Sequence, residues 1–289
     1  MTNILVGNCA SRPARNLSDS DASELGLAGG TPPPFFRNLW PANFAHLMHR
    51  FYLPPNEWNS GSPRLSESES HHVLDVLRFG VGDHVTVFDG EGTEARADIT
   101  AIEGKRIRMR IGLRTKFEPL RCAITLAQAV PKGKHMDLIV QKATELGAAR
   151  IAPLFSDRTI VQLDASDAEK KREKWLEIAV EACKQCGQNR LPTISTPIKP
   201  KAFFEEPEQA DLMLIASLQP DARRIKSVLA ELPLPLSVCV LVGPEGDFTP
   251  AEVALAKSKG CRPITLGPII LRAETAALYC LSVLAHELF

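Results

Sequence analysis

The stretch that decides the fold is Ser237–Glu252, SVCVLVGPEGDFTPAE. Val238 to Val242 form a near-continuous apolar run, the signature of a strand buried on both faces of a parallel sheet. Thr249 followed three residues later by Glu252 is a capping box, and Pro250 stands at the first helical position. Gly243 to Phe248 is therefore a tight loop between the carboxyl end of a strand and the start of a helix. It is neither G-x-G-x-x-G nor a P-loop, and no Lys-Ser/Thr follows, so dinucleotide and nucleotide-phosphate binding are disfavoured. On its own the loop is either a plain β–α turn or part of a ligand pocket, because open α/β sheets bind ligands outside the carboxyl ends of their strands.

Moving outward, the same pattern recurs. Downstream, RPITLG (262–267) leads through Pro268-Ile269-Ile270-Leu271 into Arg272-Ala273-Glu274-Thr275 and a final helix. Arg272 and Glu274 there read either as a surface ion pair or as parts of a site. Two glycine-bearing loops at the ends of successive apolar strands suggest one pocket. Upstream, CAITLAQAV (122–130), RIAPLF (150–155) and LMLIAS (212–217) are further apolar strands. Helical patterns separate them. In HMDLIVQKATELG, Met136, Ile139, Val140, Ala143 and Leu146 share a face and Gly147 is the stop. Another helix runs from Asp167 to about Cys186 with Trp175, Ile178, Ala179 and Ala182, and others lie around Ala222–Leu232 and Pro250–Lys259. Residues 119–289 are thus an α/β domain with a mostly parallel sheet covered on both faces.

Residues 48–118 read differently. Ser66-Glu67-Ser68-Glu69 fits a capping box for a helix that points Val73, Leu74, Val76 and Leu77 at a core. Short strands follow, HVTVFD, TEARADITAI and RIRMRIGL, with turns at Gly90-Glu91-Gly92 and Glu103-Gly104, which predicts a small β-barrel. Arg106, Arg108 and Arg110 alternate on one face of the third strand. They form either a solvated face or a phosphate-contacting surface. Residues 1–47, with Ser18-Asp19-Ser20-Asp21, Gly29-Gly30 and Pro32-Pro33-Pro34, hold no period and read as a disordered extension.

Composition narrows the classes. Lys+Arg 34 against Asp+Glu 34 leaves no net charge, which removes the argument from an overall basic chain but not from a local basic face. No apolar run is long enough for a membrane span and the first residues lack a secretory pattern, so the expected compartment is the cytoplasm. Seven cysteines are too scattered for a disulfide framework. Cys9, Cys122, Cys239, Cys261 and Cys280 stand alone and read as small hydrophobes. Cys183 and Cys186 form a C-x-x-C pair without a second pair at zinc spacing, so no metal is expected.

LVGPEGDFTPAE and ITLGPIILRAETA, with HHVLDVLRFGVGD, VPKGKHMDLIVQKATELGAARIAPLFSDRT and EACKQCGQNRLP, resemble the SPOUT methyltransferases. Among these they resemble the family that methylates N3 of a uridine in small-subunit (16S) ribosomal RNA. The likeness covers nearly all of Met48–Phe289. It implies a C-terminal trefoil-knot α/β domain, a PUA-like RNA-binding barrel before it, S-adenosylmethionine as cofactor and a homodimer acting on the small ribosomal subunit. It implies that Leu241, Gly243, Pro244, Glu245, Gly246, Leu266, Gly267 and Leu271 hold the cofactor, largely through backbone groups. Arg106, Arg108 and Arg110 would contact RNA, Glu274 would take the uridine proton and Arg272 would stabilise its oxygens. Two positions depart from the family pattern: Asp247 stands where a glycine is usual, and Ile269 where a basic residue is usual. A SPOUT enzyme acting on another RNA atom, such as a ribose 2′-oxygen, and a non-catalytic RNA-binding assembly factor remain the alternatives.

Overall fold

The computed structural model describes residues 49–58, 60–159, 164–206 and 210–289. Residues 1–47, read above as an extension and containing Cys9, lie outside the described residues.

The first unit is a sheet in the order β1-β2-β3-β4, made of β1 (Arg50–Tyr52), β2 (His84–Phe88), β3 (Thr93–Glu103) and β4 (Arg106–Lys116). β1 runs parallel to β2, and the other pairs are antiparallel hairpins across the two glycine turns. Alternation sets the core: Ile107 and Met109 are buried between the three arginines of β4, against Phe51, Val87 and Ile99. Of two short helices, α1 (Pro55–Trp58) adds Trp58 to this core, while α2 (Glu67–His71) docks through buried Ser70, whose hydroxyl accepts from the Ile107 amide at 3.0 Å.

The Ser66 hydroxyl caps α2 as expected, accepting from the Glu69 amide at 3.1 Å. The reciprocal half of the capping box is not formed, because the Glu69 carboxylate accepts instead from Lys184 Nζ at 2.9 Å. α2 then widens into a π-turn over His72–Val76. The wider turn rotates the following residues, so Val73 is fully buried while Val76, expected in the core, is 63% exposed.

The second unit is built on a sheet in the order β7-β6-β5-β10-β8-β11-β9. Its strands are β5 (Ala123–Ala129), β6 (Arg150–Leu154), β7 (Thr193–Ile194), β8 (Leu212–Ala216), β9 (Arg223–Arg224), β10 (Ser237–Val242) and β11 (Arg262–Thr265). Every neighbouring pair is parallel. The helices are α3 (His135–Glu145), α4 (Ala165–Cys186), α5 (Pro200–Phe203), α6 (Ile225–Leu229), α7 (Pro250–Ser258) and α8 (Ala273–Leu288). α6 is shorter than its pattern suggested, because Arg223 and Arg224 pair with β11 as strand.

Successive residues of β10 feed opposite cores. Val240 and Val242 pack with Leu126, Trp175 and Leu281 on one face, and Cys239 and Leu241 with Ile215, Phe203 and Val253 on the other. That two-sided burial is why the strand reads as an unbroken apolar run. β10 lies between β5 and β8, both earlier in the chain, and β11 lies beyond β8. The chain therefore passes β8 twice after laying it down, an interleaving that a knotted C-terminal end requires.

The two units meet at the end of α4. Lys184, its side chain 10% exposed, bonds Glu69, and Arg50 pairs with Glu94 at 2.6 Å while also bonding Asn189. Backbone bonds from Gly92 to Asn189 and from Leu191 to Gly90 complete the seam.

Candidate functional site

Because β10, β8 and β11 are parallel neighbours, the loops leaving their carboxyl ends lie side by side. Ser217 and Leu218 follow β8, Gly243 to Asp247 follow β10, and Leu266 to Leu271 follow β11. Between them opens a cleft of about 600 Å³, counted together with the open solvent at its mouth and floored by Ala273 and Ala276 of α8. Of the residues singled out in the sequence, Gly243, Pro244, Glu245, Leu266, Gly267 and Leu271 line it together. Leu241 and Gly246 do not. Leu241 is 1% exposed, its side chain pointing into the sheet core one residue short of the cleft-lining Val242. Gly246 turns outward, and its carbonyl accepts from Arg158 Nη1 at 2.5 Å.

The β10 loop is held by its own polar groups. The Asp247 amide donates to Pro244 O at 2.9 Å, and Asp247 takes φ +59°, a region that aspartate tolerates better than most residues. Its Oδ1 accepts from the Phe248 amide at 2.7 Å, an internal bond that glycine could not make. A Cβ on Gly243 would sit 3.0 Å from that oxygen and 3.1 Å from the Phe248 nitrogen, so any other residue at 243 would push the loop outward by a few tenths of an ångström. The expected capping box at Thr249 and Glu252 is complete. Glu252 also accepts from the Asp157 amide at 2.9 Å, tying the β6 loop to the β10 loop, and Glu245 ties in the β5 loop by accepting from the Lys132 amide at 3.0 Å.

The β11 loop depends on Gly267, whose φ of +120° excludes ordinary side chains although no atom lies within 4 Å of its Cβ position. Ile269 and Ile270 line the mouth and are 69% and 81% exposed. Arg272 is exposed and makes no ion pair among the described residues, so the alternative of an Arg272–Glu274 pair is not what forms. Glu274 lies outside the cleft lining and turns toward α3, with Oε1 3.6 Å from His135 Nδ1. At that distance the two side chains are neighbours and not hydrogen-bonded.

Electrostatically the cleft is one-sided. Glu245 and Asp247 line it, and no lysine, arginine or histidine does. The rest of the lining is mainly aliphatic. Among the described residues no group of three or more His, Cys, Asp and Glu side chains is placed to hold a metal ion. Burial pushes the Cys183, Cys261 and Cys280 thiols up to about 12 and Cys239 up as well, which leaves them inert as nucleophiles.

The basic strand is not a continuous positive face. Arg106 lies 3.8 Å from Glu67, Arg108 3.0 Å from Glu103 and Arg110 2.8 Å from Asp98. The Asp98 carboxyl is held below the usual carboxylate range by Arg110 and then His84. Such exposed pairs contribute little, so the arginines can exchange a carboxylate for a phosphate at small cost.

Sequence reasoning missed the third wall of the cleft, Ser217 and Leu218, although the rule that found the other two applies equally to the end of LMLIAS. It also missed His135, which faces Glu274 only because α3 and α8 pack together.

Comparison with known proteins fits this geometry. Residues 118–285 match the RNA methyltransferase domain family and residues 65–111 the RNA methyltransferase PUA domain family. A ribosomal RNA small subunit methyltransferase E from Bacillus subtilis (strain 168) is 31% identical over 228 residues, covering 77% of this chain and 89% of that protein. Its namesake from Synechocystis is 30% identical over 239 residues, covering 82% and 77%. Among solved structures, a ribosomal RNA small subunit methyltransferase E from Neisseria gonorrhoeae bound to S-adenosyl methionine superposes with a TM-score of 0.72. It shares 32% identity and the match covers 83% of this chain and 98% of that one.

Proposed function

This chain belongs to the RNA methyltransferase family, and we propose that it methylates N3 of a uridine in small-subunit ribosomal RNA, using S-adenosylmethionine. The observation that carries the reading is the cleft at the carboxyl ends of β8, β10 and β11. Its donor set fits the cofactor: aliphatic walls suit an adenine ring, backbone groups of Gly243, Leu266, Gly267 and Leu271 are available at the loops, and two carboxylates suit a ligand with cationic groups. When bound, S-adenosylmethionine supplies an electrophilic methyl group.

The chain's own residues then have limited work. They orient the base against the cleft, and that positioning is a large share of the rate enhancement. N3 lies on the Watson–Crick edge, so the uridine is bound unpaired or extruded. Its N3 proton is accepted by Glu274, and Arg272, exposed and unpaired among the described residues at the start of α8, stabilises the charge left on the uridine oxygens. Arg106, Arg108 and Arg110 on the PUA unit contact phosphate, with the boundary between the units near residue 118.

The enzyme acts as a homodimer in the cytoplasm. Exposed Leu218, Ile269 and Ile270 at the cleft mouth, with Tyr279 along α8, offer the apolar surface for a second copy. Among the described residues no helix is long and apolar enough to cross a membrane. Asp247 and Ile269 leave the cleft open, which argues against a non-catalytic assembly factor. Labelled S-adenosylmethionine incubated with small ribosomal subunits tests the proposal. Label in RNA supports it, and unlabelled RNA overturns it.

A further inference from the structure

The cleft surrounds a carboxylate that the loop does not need for charge balance. Asp247 commits Oδ1 to the Phe248 amide, and no cation pairs with it among the described residues. Arg158, bonded to the neighbouring Gly246 carbonyl, lies outside the lining. The φ of +59° would come more easily to glycine, so the position carries an acidic side chain at a backbone cost. Glu245, the other carboxylate of the lining, accepts from the Lys132 amide. Its neighbours in the lining, such as Val242, Leu266 and Leu271, are aliphatic and bring no cation to offset the charge.

We propose that Asp247 is a specificity-determining residue that reads the charge of the methyl donor and favours it over the spent product. This rests on the reading that the cleft holds S-adenosylmethionine. The donor carries a sulfonium, an ammonium and a carboxylate, and so has a positive charge in excess. Loss of the methyl turns the sulfonium into a thioether, and S-adenosylhomocysteine is neutral overall. An unpaired carboxylate in the cleft wall attracts the first and is indifferent to the second. The same aspartate therefore favours entry of the donor and adds no hold on the product, without any movement of the loops.

The test is calorimetric titration of S-adenosylmethionine, S-adenosylhomocysteine and sinefungin into the full chain and into Asp247→Asn. Sinefungin carries an amine in place of the sulfonium and is cationic like the donor. Asparagine keeps the acceptor for the Phe248 amide and tolerates the same φ, so the loop is retained. The expected result is a loss of about tenfold for both cationic ligands, with the thioether within about twofold of wild type. Equal weakening of all three would show that Asp247 only shapes the loop, and unchanged binding of all three would show that its charge is not felt. Either result overturns the proposal. Gly267→Val separates this from failure of the cleft reading. If Gly267→Val loses all three ligands while Asp247→Asn changes none, the cleft stands and the charge proposal falls. If Gly267→Val binds them as wild type does, the ligand lies elsewhere and both readings fall.

Discussion

Replacing Gly267 by alanine isolates the backbone from every other term. The new methyl meets nothing within 4 Å, so no steric clash within the protein enters. What changes is the conformation: φ +120° is open to glycine and costs an L-residue about 1–3 kcal/mol. The loop sits at the cleft mouth and is free to relax to another φ, so the folded protein avoids most of that cost and its melting temperature changes little. The ligand then has to restore the wild-type loop, and the same 1–3 kcal/mol appears as a loss of about 5–150-fold in affinity. Gly260 is the control. It has φ +86° with nothing within 4 Å of its Cβ position, but lies beyond α7 and away from the cleft. Gly260→Ala should lower stability and leave affinity for S-adenosylmethionine unchanged. Calorimetric titration with thermal melts on both variants decides it. If Gly267→Ala binds within about twofold of wild type while Gly260→Ala is destabilised, the conformation of the β11 loop is not required for binding.

Other expectations follow from the same geometry. Glu274→Gln keeps the side-chain volume and lies outside the cleft lining, so cofactor affinity should hold while single-turnover methyl transfer slows by about 10²-fold or more; a wild-type rate would make Glu274 structural. Changing Arg106, Arg108 and Arg110 together to serine should weaken RNA binding and flatten its dependence on salt, with cofactor affinity unaffected; an unaltered salt slope would place the RNA surface elsewhere. Lys184→Met leaves Glu69 buried without its cation, which should cost about 3–5 kcal/mol and lower the melting temperature by roughly 10 °C; a shift under about 2 °C would mean the seam between the units does not rest on this pair. Burial pulls the Lys184 ammonium down, but the hydrogen bonds it donates to Glu181 and Glu69 more than offset this and its value ends raised. Its contribution is therefore present below the ordinary lysine value and lost as pH rises through the folded one. Burial raises the Glu69 carboxyl, so urea denaturation curves should show the wild-type advantage over Lys184→Met shrinking at alkaline pH and again in acid, where Glu69 takes up a proton.

Periodicity carried most of the α/β unit, because strands buried on both faces and helices with one apolar face leave opposite marks on a sequence. SVCVLVG and HMDLIVQKATELG fold as they read. What periodicity could not carry was order in space. Nothing in the residues of β10 says that it inserts between β5 and β8, since parallel pairing satisfies the same apolar surfaces in many orders. Only the family resemblance implied the crossing. In the smaller unit, the local reading of Ser66–Glu69 was overridden by a partner 115 residues away, and a π-turn moved Val76 out of the core that a regular helix would have given it. At the cleft, the glycines were legible from their place after strands. Leu241 was misplaced by a single residue, which in a strand sends the side chain to the opposite face. The His135 neighbour of Glu274 was not legible, because it depends on the packing of α3 against α8, far apart in the chain.

The measurement that bears most directly on the central claim is methyl transfer from labelled S-adenosylmethionine to assembled small subunits and to naked ribosomal RNA, followed by nucleoside analysis of the labelled product. The account predicts label recovered as N3-methyluridine. Label recovered as a ribose-methylated nucleoside, or none in RNA while the protein still binds the cofactor, would contradict it.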